Sequence, residues 1–528
     1  MNVIAICSML DEPHGLNSVS RRFRDEPVLR HTLRRLRRVA SLQTIVVSHW
    51  DDQAADCALI DGATLFSAGP RGSRPRQDSV DAAQRWSDGW RGGLLSTAAC
   101  DRGFDAGIVR QIVINRAADA VVLIDPAAAM VDPDALSALI AAATGDKNFY
   151  FNHMPPGLGG VLCKRALLEQ LAAQQGHAGR LLHYTPDAPV LDPVLSDACV
   201  SPSLRVSRAV GSYLLGSHRQ IERFETATAP LNGTLAASGA EAIVRHAEAA
   251  SHPTAAPRDL TIELTTRRNS APIYSPLAAG PVDRPDLSAE VAAAVAPQVA
   301  ACDDLRVTLA GVGDPLCHPD FARIVRLLGA AHALHVETDL IDLSDDALAA
   351  LVGPNVDVVT VHLPAMRPAT YAAVMAVDAM PRALANLERL LRARQAAGRG
   401  TPLVVPTLAK TGHNFDEIEQ WYDTWLRALG SAVITGPATF CGRIADTGVA
   451  DMTPPLRQPC RRIESRMTLL SDGRYVACEQ DAGGTLGLGA AGAVSLADAW
   501  QAIEKLRAAH RDGALPPACA RCKEWHRP

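Results

Sequence analysis

Short apolar runs rich in β-branched residues recur along this chain, each followed by a stretch with helical spacing. That alternation restricts it to α/β architectures. VIAICS (3–8), TIVVS (44–48) and DAVVLID (119–125) are the first such runs. Between the first two lies PVLRHTLRRLRRVASL (27–42), apolar on one face and arginine-bearing on the other. This βαβ opening predicts a parallel sheet with helices on both sides over residues 1–230. A second series follows: LTIELTT (260–266), LRVTLAG (305–311), LHVET (334–338), VDVVTVHL (356–363), PLVVPTL (402–408) and SAVITG (431–436), with helical stretches such as 381–398 between them. Six strand–helix repeats predict an open β/α barrel over 258–445, with its functional groups at the C-terminal strand ends. The Ala-, Ser-, Gly- and Pro-rich stretch 231–257 reads as the connection between the two, with one helix around 241–250.

A chain of 528 residues exceeds one core and calls for about three or four domains. Its net charge of -5 gives no reason to expect nucleic acid or an anionic membrane as partner. No run approaches the ~18 uninterrupted apolar residues of a spanning helix. The opening MNVIAICSMLDEPHG lacks a basic n-region and reads as a first strand, so the expected location is cytoplasmic.

Twelve cysteines in a cytoplasmic chain do not read as a disulfide framework. Eight are scattered (Cys7, Cys57, Cys100, Cys163, Cys199, Cys302, Cys317, Cys441) and read as small buried hydrophobes. The last four have a pattern. Cys460 is followed by twelve residues, Gly473, four residues and Cys478, and forty residues later comes Cys519-x-x-Cys522. MTLLS and RYVAC read as two strands joined at Asp472-Gly473, a hairpin that carries Cys478 back towards Cys460. Four thiolates satisfy either one zinc ion or one [4Fe–4S] cube.

The run from Cys460 through Gly473 and Cys478, with the helix bearing Trp500 and the closing Cys519-x-x-Cys522, resembles the SPASM domain that follows the barrel of many radical S-adenosylmethionine enzymes. The resemblance implies that residues 446–528 hold one [4Fe–4S] cluster on Cys460, Cys478, Cys519 and Cys522. Residues 258–445 resemble the radical S-adenosylmethionine barrel. TLAGVGDPLCHPDF (308–321) is similar to the turn that receives the amino group of S-adenosylmethionine, with Asp314 as its acid. HVETDL is similar to the Thr-Asn-Gly strand end, with Asp339 at the Asn position, and Asn386 and Asn414 fall where further motifs recur. The departure is in IELTTRRNSAPIYSP. Where active members carry C-x-x-x-C-x-x-C, this chain has Arg268, Pro272 and Ser275. The family's reductive cleavage of S-adenosylmethionine therefore lacks its electron donor. Cys302 and Cys317 leave a displaced cluster as an alternative, adjacent Cys317 and His318 a metal pair, and Arg268 an anion grip.

IAICSMLDEPHGLNSVSRRFRDEPVLRHTLRRLRRVASLQTIVVS resembles the opening of sugar-activating nucleotidyltransferases, including the cytidylyltransferase-like group. Here the loop after the first strand offers Gly15, Asn17, Ser18 and Arg21, without the family's lysine. VVLIDPAAAMVDPDAL resembles the strand ending in the magnesium-binding aspartate, here Asp125. The alternative for Asp125 is a cap on the following turn. RGSRPRQ (71–77) reads as a solvated basic loop that could meet phosphates.

The three parts together resemble the spiro-SPASM family. The resemblance implies an iron–sulfur protein with a degenerate barrel, acting on or binding a modified carbohydrate or peptide, with an electron-transfer partner. Two other readings are a Mg-dependent nucleotidyltransferase with a regulatory SPASM module, and a non-catalytic binding protein whose cluster is structural. The sequence names no catalytic residue.

Overall fold

In a computed structural model, which describes residues 1–58, 60–188, 192–250 and 254–527, the chain divides into two units, 1–253 and 254–528. Residues 251–253 of the expected connection lie outside the described residues.

The first unit is built on a seven-stranded sheet. Its strands are β1 (Val3–Ser8), β4 (Leu42–His49), β5 (Thr64–Ser67), β6 (Ala120–Ile124), β7 (Phe149–Asn152), β8 (Val161–Lys164) and β9 (Cys199–Val200). A two-residue hairpin, β2 (Arg22–Phe23) with β3 (Glu26–Pro27), stands apart. β1 and β6 are buried at every residue, as expected of strands covered on both faces. The order is β5-β4-β1-β6-β8-β7-β9. The expected parallel sheet is thus a mixed one, because β8 runs antiparallel to both β6 and β7. The first helix spans Val28–Leu36, shorter than the pattern over 27–42, and β4 begins at Leu42.

Residues 231–250 belong to this first unit. Arg35 is buried and donates to the carbonyls of Val131, Leu235 and Ser238. The helix Ala240–Ala249 buries Ile243 and Val244 beside Phe224 and Tyr213.

The second unit carries the six expected barrel strands: β10 (Asp259–Ile262), β11 (Arg306–Leu309), β12 (Ala333–Thr338), β13 (Val358–His362), β14 (Leu403–Ala409) and β15 (Val433–Thr435). Each pairs in parallel with the next, and helices such as Met380–Ala396 lie between them. The sheet does not stop at β10. β16 (Arg466–Leu469) pairs in parallel with β10, and β17 (Arg474–Val476) and β18 (Gly487–Ala490) follow antiparallel. The β16–β17 turn is the expected hairpin, with Gly473 at φ +82°, a backbone state that favours glycine. The helix Leu496–Ala502 folds back so that Trp500 is fully buried in the same core as Leu260 and Met467. Replacing such a side chain by alanine costs about 3–5 kcal/mol. The molecule is therefore an α/β protein of two mixed sheets. Among the described residues no helix is long and apolar enough to cross a membrane.

Candidate metal centre

The hairpin and the C-terminal turn bring the patterned cysteines into one neighbourhood. Cys478 lies two residues beyond β17, Cys460 precedes a short turn at Arg462–Glu464, and Cys519 lies in the helix Pro517–Arg521 that Cys522 closes. Cys460, Cys478 and Cys519 are 7%, 7% and 8% exposed. Each thiol lies in the electrostatic field of others. Burial, then Cys460 and Cys522, pushes Cys519 up to about 12. Burial first pushes Cys460 and Cys478 above the ordinary thiol value as well. Bare thiolates are costly at these three buried positions, and a bound cation would favour them.

Backbone N–H groups and one carboxylate surround the sulfurs: Cys478 Sγ donates to Glu479 Oε2 at 3.5 Å, and Glu479 pairs with Arg462 at 2.9 Å. Gln480 N donates to Cys478 Sγ at 3.4 Å, and Glu524 N donates to Cys522 Sγ at 3.3 Å. Backbone N–H groups of Ile463 and Arg462 likewise favour the Cys460 thiolate. Arg457 anchors the Cys-x-x-Cys turn by donating to the carbonyls of Cys519 and Cys522. His510 Nδ1 accepts from Cys460 N, at 3.3 Å.

Several of these side chains have buried atoms without a hydrogen-bond partner: Arg457 Nε, Arg462 Nε and Nη1, and His510 Nε2. An unmade buried donor costs about 1–3 kcal/mol, so their gathering beside four thiols fits a negatively charged group held there. Among the described residues, no group of three or more His, Cys, Asp or Glu side chains is placed to hold a metal ion. A cube takes one thiolate at each iron, so its ligands do not converge on one point.

Sequence spacing missed Cys441, set aside with the scattered thiols. It lies within the electrostatic reach of Cys522, Cys478 and Cys519, and its thiol is pushed far above the ordinary value. No regular interval ties Cys441 to the others, so no signal in the sequence points to it.

At the barrel's strand ends an ion pair stands where the resemblance puts a cluster. Arg268 Nε donates to Asp339 Oδ2 at 2.7 Å, and its Nη2 donates to Asp339 Oδ1. Ser270 Oγ donates to the same carboxylate, and His362 Nδ1 lies 3.0 Å from it. Burial alone would raise Asp339, but Arg268 and His362 outweigh it and hold the carboxyl well below its ordinary range. Arg268 is thus already neutralised, which removes the expected anion grip.

Asp314 is likewise engaged. It accepts from Thr338 Oγ1 at 2.9 Å, Asp339 N at 2.8 Å and Leu316 N at 3.0 Å. Ser275 caps the turn Pro276–Ala279, and Pro272 has no side-chain donor. His318 spends both ring nitrogens on backbone groups, Leu287 O and Asp320 N, so the Cys317–His318 metal pair is not formed. Cys317 Sγ accepts from Asn269, and Cys302 Sγ donates to Gln298 O. Asn386 and Asn414 tie strand-end loops together through the carbonyls of Leu340, Ile341, Pro364 and Ala409.

In the first unit the strand order reverses between β1 and β6, the place where open α/β sheets bind ligands. Asp125 sits there with Asp11 and Glu12. Its Oδ1 accepts from Ala127 N at 2.8 Å, the cap expected as the alternative role. Its Oδ2 lies 3.5 Å from Arg102 Nε, which also donates to Asp11 Oδ2 at 2.8 Å. Burial, then Asp11, pushes Glu12 up to about 7, although its Oε2 accepts from Ser18 N and Oγ. Gly15 N and Asn17 Nδ2 donate to Asp56. In the 71–77 stretch Arg71, Ser73 and Arg76 are exposed, Arg71 donates to Asp52 and to Glu12 O, and Arg74 pairs with Asp105 while lying 4.4 Å over Trp50.

No family model matches this chain. An uncharacterised protein of Treponema pallidum (strain Nichols) is 25% identical over 230 residues, which is 42% of this chain and 64% of that protein's length. Among solved structures the chain is similar to BtrN in complex with AdoMet and 2-DOIA, at TM-score 0.35 and 12% identity, over 50% of this chain and 92% of that one. It is also similar to Streptococcus suis SuiB bound to precursor peptide SuiA, at TM-score 0.41 and 11% identity, over 67% and 87%. A third similarity is to a cytidylyltransferase from Leptospira borgpetersenii, at TM-score 0.31 and 12% identity, over 47% and 92%.

Proposed function

We propose that this chain is an iron–sulfur protein in which Cys460, Cys478, Cys519 and Cys522 hold one [4Fe–4S] cluster, on a β/α scaffold that does not itself cleave S-adenosylmethionine. The observation that carries the reading is the set of unpartnered buried donors on Arg457, Arg462 and His510, gathered around four thiols of which Cys478 and Cys522 receive backbone N–H bonds. When bound, such a cluster supplies one-electron transfer. The chain's part is to supply four thiolates, donate backbone N–H groups to the sulfur, and bury it away from water. The barrel half of the reading rests on Arg268, whose guanidinium and carboxylate partner occupy the strand ends. Iron and sulfide analysis of protein purified without oxygen tests both halves. About four of each per chain supports the reading. About eight would return radical chemistry to the barrel, and one zinc without sulfide would replace the cluster by a ribbon.

A second reading, Mg-dependent nucleotidyl transfer in the first unit, is favoured by the position of Asp125 where the strand order reverses. It requires Arg102 to release that carboxylate. Turnover of cytidine triphosphate that vanishes in Asp125→Ala would support it, and absent or unchanged turnover would remove it.

A further inference from the structure

The inner face of the barrel sheet carries reactive groups of its own. Along β12 and β13, Val336, Val359 and Val361 pack into the core with the helix residues Ile324 and Leu351. Their alternates His335, Glu337, Thr360 and His362 are half-buried on the opposite face, as is Thr407 of β14. Register sets Glu337 beside Thr360 and His362 beside Thr407, near the C-terminal ends of the three strands. His335 is occupied: its Nε2 lies 2.8 Å from Thr360 Oγ1 and its Nδ1 3.4 Å from Thr308 Oγ1. Among the described residues, His362 Nε2, the Glu337 carboxylate and Thr407 Oγ1 have no hydrogen-bond partner, and the His362 side chain is 18% exposed.

Asp339 fixes the His362 ring. Its Oδ2 accepts from Arg268 Nε and Ser270 Oγ, and its Oδ1 from Arg268 Nη2 and His362 Nδ1, so both oxygens are fully used. A carboxylate only accepts, so His362 Nδ1 carries the proton and donates across 3.0 Å, although Arg268 Nη2 lies 3.2 Å from the same nitrogen. In the neutral ring the lone pair is then on Nε2, the nitrogen left open.

We propose that the inner face of the barrel is a hydrolytic site for a carboxylic ester, with His362 as general base, Asp339 positioning it and Thr407 donating to the developing oxyanion. Neighbouring strands lie about 4.8 Å apart, so the imidazole and the hydroxyl flank room for one carbonyl group. A phosphoryl group fits less well, because Arg268 is spent on Asp339 and Glu337 presents a carboxylate on the same face. His362 Nε2 takes a proton from water as the water oxygen bonds to the carbonyl carbon, and the carbonyl pair moves onto oxygen beside Thr407. The pair returns, the bond to the alkoxy oxygen breaks, and Nε2–H gives that oxygen its proton. Ester and water become acid and alcohol, with no oxidant or reductant used, so the site stands independently of the C-terminal cluster.

Steady-state hydrolysis of 4-nitrophenyl acetate by the full-length protein tests the site, read after any single acylation of thiols is complete. Wild type should hydrolyse the ester with saturation. His362→Gln should lower kcat about 100-fold or more. Thr407→Val should lower kcat about 100-fold with KM little changed. Asp339→Asn should also lower kcat, whereas His413→Gln, which removes an exposed imidazole, should leave the rate as it was. Wild type no faster than buffer overturns the proposal, and so does His362→Gln at the wild-type rate. Should the His362 or Asp339 variants not fold, nitrogen-15 NMR of histidine-labelled wild type at alkaline pH decides. A proton on His362 Nδ1 supports the base, and a proton on Nε2 overturns it.

Discussion

Arg268 and Asp339 form a two-pronged ion pair past the ends of β10 and β12, their side chains 8% and 1% exposed. The pair is buried, so its partners depend on each other more than surface charges do. Breaking it by Arg268→Ala should cost about 3–5 kcal/mol, measured as a shift in the urea midpoint. The double variant Arg268→Ala/Asp339→Ala should lose less than the two single losses added together. Additive losses would mean that the two charges do not support one another.

The same pair sets an acid limit. The folded-state value of Asp339 is depressed, so its stabilisation is present above the ordinary aspartate range and is lost as pH falls through and below that range. Unfolding midpoints between pH 5 and pH 3 should fall more steeply in wild type than in Asp339→Asn. Parallel curves would count against the pairing.

Glu12 works in the opposite direction. Its value is raised to about 7 from 4.5, so its contribution is complete below pH ~4.5 and is lost as pH rises towards 7. Amide exchange in β1 and β6 should quicken over that window in wild type and less so in Glu12→Gln. Burial raises Asp81 and Asp125 as well, and both add to the slope.

Arg102 lies between Asp11 and Asp125. Removing it leaves buried carboxylates facing each other, so Arg102→Ala should destabilise the first unit by about 3–5 kcal/mol. Adding Asp125→Asn to that variant should recover part of the loss in a double-mutant cycle. Further loss would show that Arg102 does not serve Asp125.

For the C-terminal centre, Cys478→Ala should lose most bound iron, whereas Cys57→Ala, buried beside Met9 in the first unit, should lose none. Equal iron in the two purified variants would remove the ligand assignment.

The barrel strands were legible because apolar runs and helical spacing are local signals, and all six lie within a few residues of their expected places. The hairpin at Gly473 was legible for the same reason. What escaped is long-range. The side-by-side pairing of β10 with β16 joins Asp259 to Arg466, and nothing near either residue encodes that register. Arg268 reads as an anion grip until Asp339, far along the chain, is set against it. The reversed β8 shows only in the pairing of Val121 with Cys163, and Cys441 only where the chain returns to Cys522.

The pairing of β10 with β16 also matters for aggregation. A chain cut before residue 446 would present the row of N–H and C=O groups on β10 to solvent, a template for other strands. The C-terminal hairpin thus acts as an edge guard for the barrel sheet, passing the exposed flank outward to β18, a short strand containing two glycines. Retaining residues 446–528 would then be a condition for solubility even in a variant whose cysteines had all been replaced.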